Sequence, residues 1–247
     1  MNSCGKDLTL KESESGEIIR IPRILPSTAE KRLGIRYSVD GTWLQKYKYW
    51  LEFSSNFAKK IRQSRLDRLG GYQSYKAIWC AKFRYSAPAI SLSTSQLKKI
   101  QQRITGASLA VSGFSSKMPR AVVHGPRLYG GMQWETPYTI LIYEQIKILM
   151  GSIRLEDTVG KLLNLQLQWL QIAIGISVPL LENKQTIPYL QKFWVQSLHE
   201  KLVDTNIQIK LYKQWVPIQN CLVVKYFDAM SIFYTYNDII LQHARYG

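Results

Sequence analysis

Between Asp67 and Glu135 the sequence contains no acidic residue, while Arg68, Lys76, Lys82, Arg84, Lys98, Lys99, Arg103, Lys117, Arg120 and Arg127 all fall there. Acids are not clustered elsewhere either. No Asp-Asp pair and no YxDD occurs, and the one adjacent pair, Glu156-Asp157, stands where a helix is expected to start and reads as capping. Two-metal phosphoryl transfer needs carboxylates gathered around divalent ions, so no catalytic residue, no metal and no cofactor is expected. Cysteine is scarce. Cys4, Cys80 and Cys221 are odd in number, widely spaced and without CxxC, which excludes a disulfide framework or a zinc site and suits a reducing intracellular compartment, nucleus or cytoplasm. No basic segment followed by an apolar run opens the chain, so no secretory signal is expected. The one uncharged run, LLNLQLQWLQIAIGISVPLL from Leu162 to Leu181, carries Asn164, Gln166, Gln168 and Gln171. Four amides in one span are costly in lipid, so it reads as a buried helix rather than a membrane segment.

What is abundant is positive charge, and it is unevenly placed. The net charge is +16; residues 1–130 hold 23 Lys and Arg against 8 Asp and Glu, a net of +15, whereas residues 131–247 hold 10 against 9. Such a surface attracts polyanions, and phosphate backbones are the expected partner. The plain alternative is a solvated basic face.

Hydrophobic periodicity predicts a mainly α-helical fold behind a short β segment. EIIRIPRI, with Pro22, reads as an edge strand and LGIRYSV as a second, and the two could pair as a hairpin. From Thr42, a plausible N-cap, Trp43, Tyr47, Trp50, Leu51, Ser54, Phe57, Ala58 and Ile61 recur at helical spacing, with Lys46, Lys59, Lys60, Arg62 and Arg65 on the other face. A second helix is expected from Asp67 to about Phe83, and a third, SQLKKIQQRI, launched by Ser93-Thr94-Ser95. A Ser/Gly-rich link follows from Gly106 to Ser116. Three more helices are expected: Pro137 to about Met150, Glu156 to about Ile174 and Pro188 to about Val203. IQIKLY is a strand or a linking extension, and Asn220–Gly247 reads as helical. The expected division is a loose N-terminus at 1–16, a hairpin with a basic helical domain at 17–118, a joint at 119–134 and a neutral helical domain at 135–247.

The chemical motifs are incomplete. In RAVVHGPRLYGGMQW, Gly125 is followed by no Lys-Ser/Thr, so it is not a Walker loop. His124 has no orienting carboxylate nearby in sequence and reads as structural. His199-Glu200 lacks the second histidine of a zincin, since Val203 stands four residues on. Tyr72, Tyr75, Trp79 and Phe83, near Lys76, Lys82 and Arg84, could stack on bases. Their spacing of i, i+3, i+7 and i+11 reads more readily as a core stripe.

The order of these pieces resembles reverse transcriptases of retroelements without long terminal repeats. EIIRIPRILPSTAEKRLGIRYSVDGTW resembles the end of the palm, and FAKKIRQSRLDRLGGYQSYKAIWCAKFRYSAPAISLSTSQLKKIQQRI the thumb that follows it. RAVVHGPRLYGGMQW is similar to the family's proline-then-Gly-Gly segment. The likeness spans about residues 17–174, with Met132-Gln133 where the family commonly has Leu-Gly. The fingers and the YxDD aspartates are not in this sequence, so no catalytic residue carries over. The resemblance implies a truncated thumb and connector whose partners are RNA or an RNA/DNA duplex and the missing polymerase portion, with no membrane and no small molecule. The cations expected to contact phosphate are Lys59, Lys60, Arg62, Arg65, Arg68, Lys76, Lys98, Lys99, Arg103, Arg120 and Arg127. The competing reading is a helical interaction module whose basic face meets an acidic protein or an anionic surface.

Overall fold

A computed structural model describes residues 9–11, 18–20, 28–32, 35–38, 41–175, 178–187, 194–211 and 239–242. The chain separates into two compact units, Met1–Lys46 and Tyr47–Gly247.

The first unit carries two small antiparallel pairs. β1 (Thr9–Lys11) pairs with β2 (Ile18–Arg20), and β3 (Glu30–Arg32) with β4 (Ile35–Tyr37). The N-terminal hairpin expected from the sequence is present, but with other partners: each of the two recognised strands pairs with a neighbour close in sequence. Thr9–Lys11 is thus a strand within a segment read as loose. Backbone pairing needs little side-chain signal in three-residue strands, which is why the pattern did not reveal it.

The second unit is helical. α1 (Leu44–Gln63) buries Trp50, Ser54, Ala58 and Ile61 along one stripe, as its spacing demands. Lys46, placed on the basic back from the sequence, is instead buried at 2% exposure. The next helix opens at Asp67, whose carboxylate accepts the Gly70 N–H at 2.7 Å. It continues as α2 (Arg68–Ser74), a wide π-helical stretch (Tyr75–Cys80) and α3 (Ala81–Ser86), ending in a 3₁₀ turn over Ala87–Ala89 that contains Pro88. α4 (Thr94–Val111) begins with a capping box in which Ser93 and Gln96 exchange hydrogen bonds. It runs through Gly106, so most of the supposed Gly106–Ser116 link is helix; burial of Ala107, Ser108 and Leu109 outweighs the glycine's weak propensity.

α5 (Arg120–His124) and α6 (Pro137–Leu155) follow, then α7 (Thr158–Ile174) and α8 (Trp194–Asp204). Asp157 caps α7 through the Gly160 N–H at 2.6 Å, in agreement with the capping role read for the acid pair. Gly160 lets the two helices close up, because a Cβ there would meet the Ser152 carbonyl oxygen at 2.1 Å. Ile142, Ile146 and Leu149 of α6, Leu163, Leu167 and Leu170 of α7, and Val195, Leu198 and Leu202 of α8 form one apolar core. β5 (Gln208–Leu211) adds Ile209 and Leu211 to it and pairs antiparallel with β6 (Ile239–Gln242). Part of the tail read as helical is therefore a strand; the rest, and the expected start of α8 at Pro188, lie outside the described residues. Among the described residues no helix is long and apolar enough to cross a membrane.

Rings fill the other core. Trp134, Tyr75, Trp79 and Phe83 stack in succession at centroid spacings of 5.1, 5.7 and 5.3 Å, and Trp50 meets Trp79 and Phe83 edge-on. Such pairs contribute about 0.5–1.5 kcal/mol each beyond their burial. Trp79 also donates Nε1–H to Ser54 Oγ at 3.0 Å. Trp79→Ala is accordingly expected to lower stability by about 3–5 kcal/mol, the range for an aromatic core truncation, read as a shifted denaturant midpoint.

Candidate nucleic-acid interface

The structure places all eleven candidate cations on the surface. Lys59, Lys60 and Arg62 stand on the last turns of α1, Arg65 in the link to α2, and Arg68 at the start of α2. Lys98, Lys99 and Arg103 are exposed on α4, and Lys99 and Arg103, four residues apart, share a face. Phe57, Ala58 and Ile61 of α1 pack with Ala107 and Val111 of α4, so these two basic helices belong to one packed body. Among the described residues none of the eleven forms an ion pair. Arg120 donates to the Ser116 carbonyl at 3.2 Å, and the Arg68 stem covers Gly113.

Arg84 differs from them. Its guanidinium is paired with Glu135 and lies 3.8 Å from Glu144, which removes it from the phosphate-contact candidates near the aromatic stripe. Both acids come from beyond the acid-free stretch, so pairing across the fold neutralises one of its cations. The stripe itself is core: Tyr75, Trp79 and Phe83 are buried, and the half-buried Tyr72 packs against Trp134 at 5.3 Å. Tyr75 donates its hydroxyl to the Glu135 carbonyl at 2.7 Å, and burial raises its pKa well above the phenol range. Burial likewise pushes the Cys80 thiol up to about 12, an unreactive state. Lys82 keeps its ammonium exposed, 3.9 Å from the centre of the Phe53 ring.

The segment Arg120–Trp134 closes on itself. Met132 N–H donates to Val122, Gln133 N–H to Gly125 and Trp134 N–H to Val123, at 2.8, 3.0 and 2.9 Å. Gly131 makes the return possible, since a Cβ there would meet the Gly125 carbonyl oxygen at 2.1 Å. His124 pins the fold-back with both ring nitrogens. Nδ1–H donates to the Trp134 carbonyl at 2.8 Å, which leaves Nε2 to accept from the Gln101 amide at 2.9 Å. Neither nitrogen is left for a substrate. The segment lies inside the second compact unit, where Trp134 joins the ring stack and α6 packs on α3 and α4.

No family model, curated protein or solved structure matches the chain. The reading of the site therefore rests on geometry and charge. Among the described residues no group of three His, Cys, Asp or Glu side chains is placed to hold a metal. His199 donates Nε2–H to the Asn183 carbonyl at 3.0 Å, and its Nδ1 is buried without a hydrogen-bond partner among the described residues.

The sequence reading passed over Leu128 and Tyr129. They are 84% and 83% exposed at the tip of the closed segment, in the 3₁₀ turn Arg127–Tyr129. Two large apolar residues inside a turn bounded by Pro126 and Gly130 were the available signal.

Burial lowers the pKa of both His124 and His199, and the Arg120 charge adds to the effect at His124. Each imidazole is favoured neutral in the fold, so the unfolded chain binds protons first as pH falls below about 6.5. Their contribution to stability is complete above that pH and is lost as pH falls from there toward the lowered folded values. Thermal melting should therefore occur at lower temperature at pH 5.5 than at pH 7.5 (roughly one pH unit either side of an unperturbed imidazole). His199→Gln, which retains a donor for Asn183, should flatten that dependence.

Proposed function

We propose that the second unit binds nucleic acid non-specifically, gripping the phosphate backbone with the cations of α1, α2 and α4. The observation that carries this is a set of exposed cations, without ion-pair partners among the described residues, on helices packed together, within a sequence that has a single acid, Asp67, between Glu52 and Glu135. Asp67 is engaged as the cap of α2. Exposed lysines and arginines that already face water give up little on meeting phosphate, and releasing the counterions around the polymer drives association. The resemblance to the thumb and connector of a reverse transcriptase fits this reading, in which the chain holds an RNA or RNA/DNA duplex by its backbone.

One observation favours the interaction-module alternative. Leu66, Leu69 and Phe114 are 43%, 60% and 41% exposed, and the two leucines alternate with Arg65 and Arg68 at the α1–α2 corner. Apolar and basic residues interleaved in this way also suit an acidic protein or an anionic surface.

The two readings separate by salt and by nuclease. Binding to RNA/DNA duplexes of unrelated sequence should weaken linearly in log–log salt plots. Lys59→Glu, Lys60→Glu and Arg62→Glu together should weaken all of them alike, with the slope falling by roughly one for each phosphate no longer neutralised. Salt-independent affinity, or no duplex binding at low salt, sinks the proposal; a partner that stays bound after nuclease treatment supports the alternative.

A further inference from the structure

Leu128 and Tyr129 are the two most exposed large apolar side chains described in the molecule, and they stand on a braced loop. Exposed apolar residues on a mobile loop call for no explanation, but these two sit on a turn whose base is fastened by three backbone hydrogen bonds, by the Gly125–Gly131 approach and by both nitrogens of His124. Pro126 precedes the turn, and Gly130, at φ 77°, ends it in the left-handed region that glycine accepts. Among the described residues Tyr129 donates no hydrogen bond and touches no other ring, and it is 83% exposed.

We infer that this tip is a stacking site for an unpaired nucleobase of a bound single strand, with Tyr129 supplying the ring face, Leu128 the apolar edge and Arg127 the contact to the adjoining phosphate. Charge complementarity selects the occupant: Arg127 lies in the same turn, Arg120 and Lys117 are exposed in the preceding segment, and no acid lies between Arg68 and Trp134. An aromatic face accepts any base, so the contact needs no sequence preference. A rigid tip loses little freedom on binding, which is what the bracing of the loop provides. A turn of three residues sends its side chains out in different directions, so the cation does not cover the ring. The inference rests on the nucleic-acid reading above, and adds to it a preference for unpaired over paired bases.

The test uses the full chain with a short single-stranded oligonucleotide carrying 2-aminopurine, and a blunt duplex of the same sequence. The wild type should bind both, and quench 2-aminopurine only in the single strand. Tyr129→Ala should abolish the quenching and weaken single-strand binding by about five-fold or more, the lower end of what one stacked base contributes. Duplex affinity should stay within about two-fold, because phosphate contacts dominate there. Tyr129→Phe should behave as wild type, and Arg127→Gln should lower the single-strand salt slope by roughly one. Equal losses on single strand and duplex, or none on either, overturn the stacking site and leave the duplex grip standing. A wild type that binds neither overturns both.

Discussion

The second unit depends on one column of rings. Trp134, Tyr75, Trp79 and Phe83 stack face to face while Trp50 closes the side, so α1, the α2–α3 helix and the far end of the Arg120–Trp134 loop meet at a single apolar post. The column brings together residues far apart in the chain, and two of its buried polar groups have partners within the fold: Trp79 bonds Ser54, and Tyr75 the Glu135 carbonyl. A buried hydroxyl or indole N–H left without a partner would weaken such a core, which makes Ser54 and the Glu135 carbonyl part of it.

Its consequence for the surface is a division of labour between rings and cations. Once the aromatic side of the α2–α3 helix is consumed by the column, Lys76 and Lys82 are turned out to solvent while Arg84 is drawn to Glu135 and Glu144. The proposed backbone grip then uses cations that the fold leaves to solvent, and the ring proposed for base contact is Tyr129, which lies outside the column. A pattern of aromatics interleaved with basic residues thus resolves into two separate roles, an inner one that holds helices and an outer one that meets solvent.

Much of this was legible. The stripe Trp50, Ser54, Ala58 and Ile61, the caps at Asp67, Ser93 and Asp157, and the mainly helical class all follow from local spacing and local hydrogen-bonding chemistry, and the structure has them. Legibility fails where an outcome depends on residues distant in sequence. Helix α4 continues through Gly106 because its next turn is buried; the two N-terminal strands choose neighbours that carry almost no pattern; Ile239–Gln242 becomes a strand because β5 offers an edge. Lys46 is the clearest case, a cation on an apparently solvated face that the tertiary structure buries.

By itself the sequence determined the charge and its confinement to the first 130 residues, the helical periods and most helix starts, because each is a property of neighbouring residues. It also determined that the glycines of RAVVHGPRLYGGMQW lack the lysine of a phosphate loop. Only the tertiary structure decided that His124 is a pin, since its tautomer is set by Gln101 and Trp134. It alone decided which cations remain exposed and which rings stay outside the column. Electrostatic pairing and burial act through space, and a one-dimensional pattern records neither.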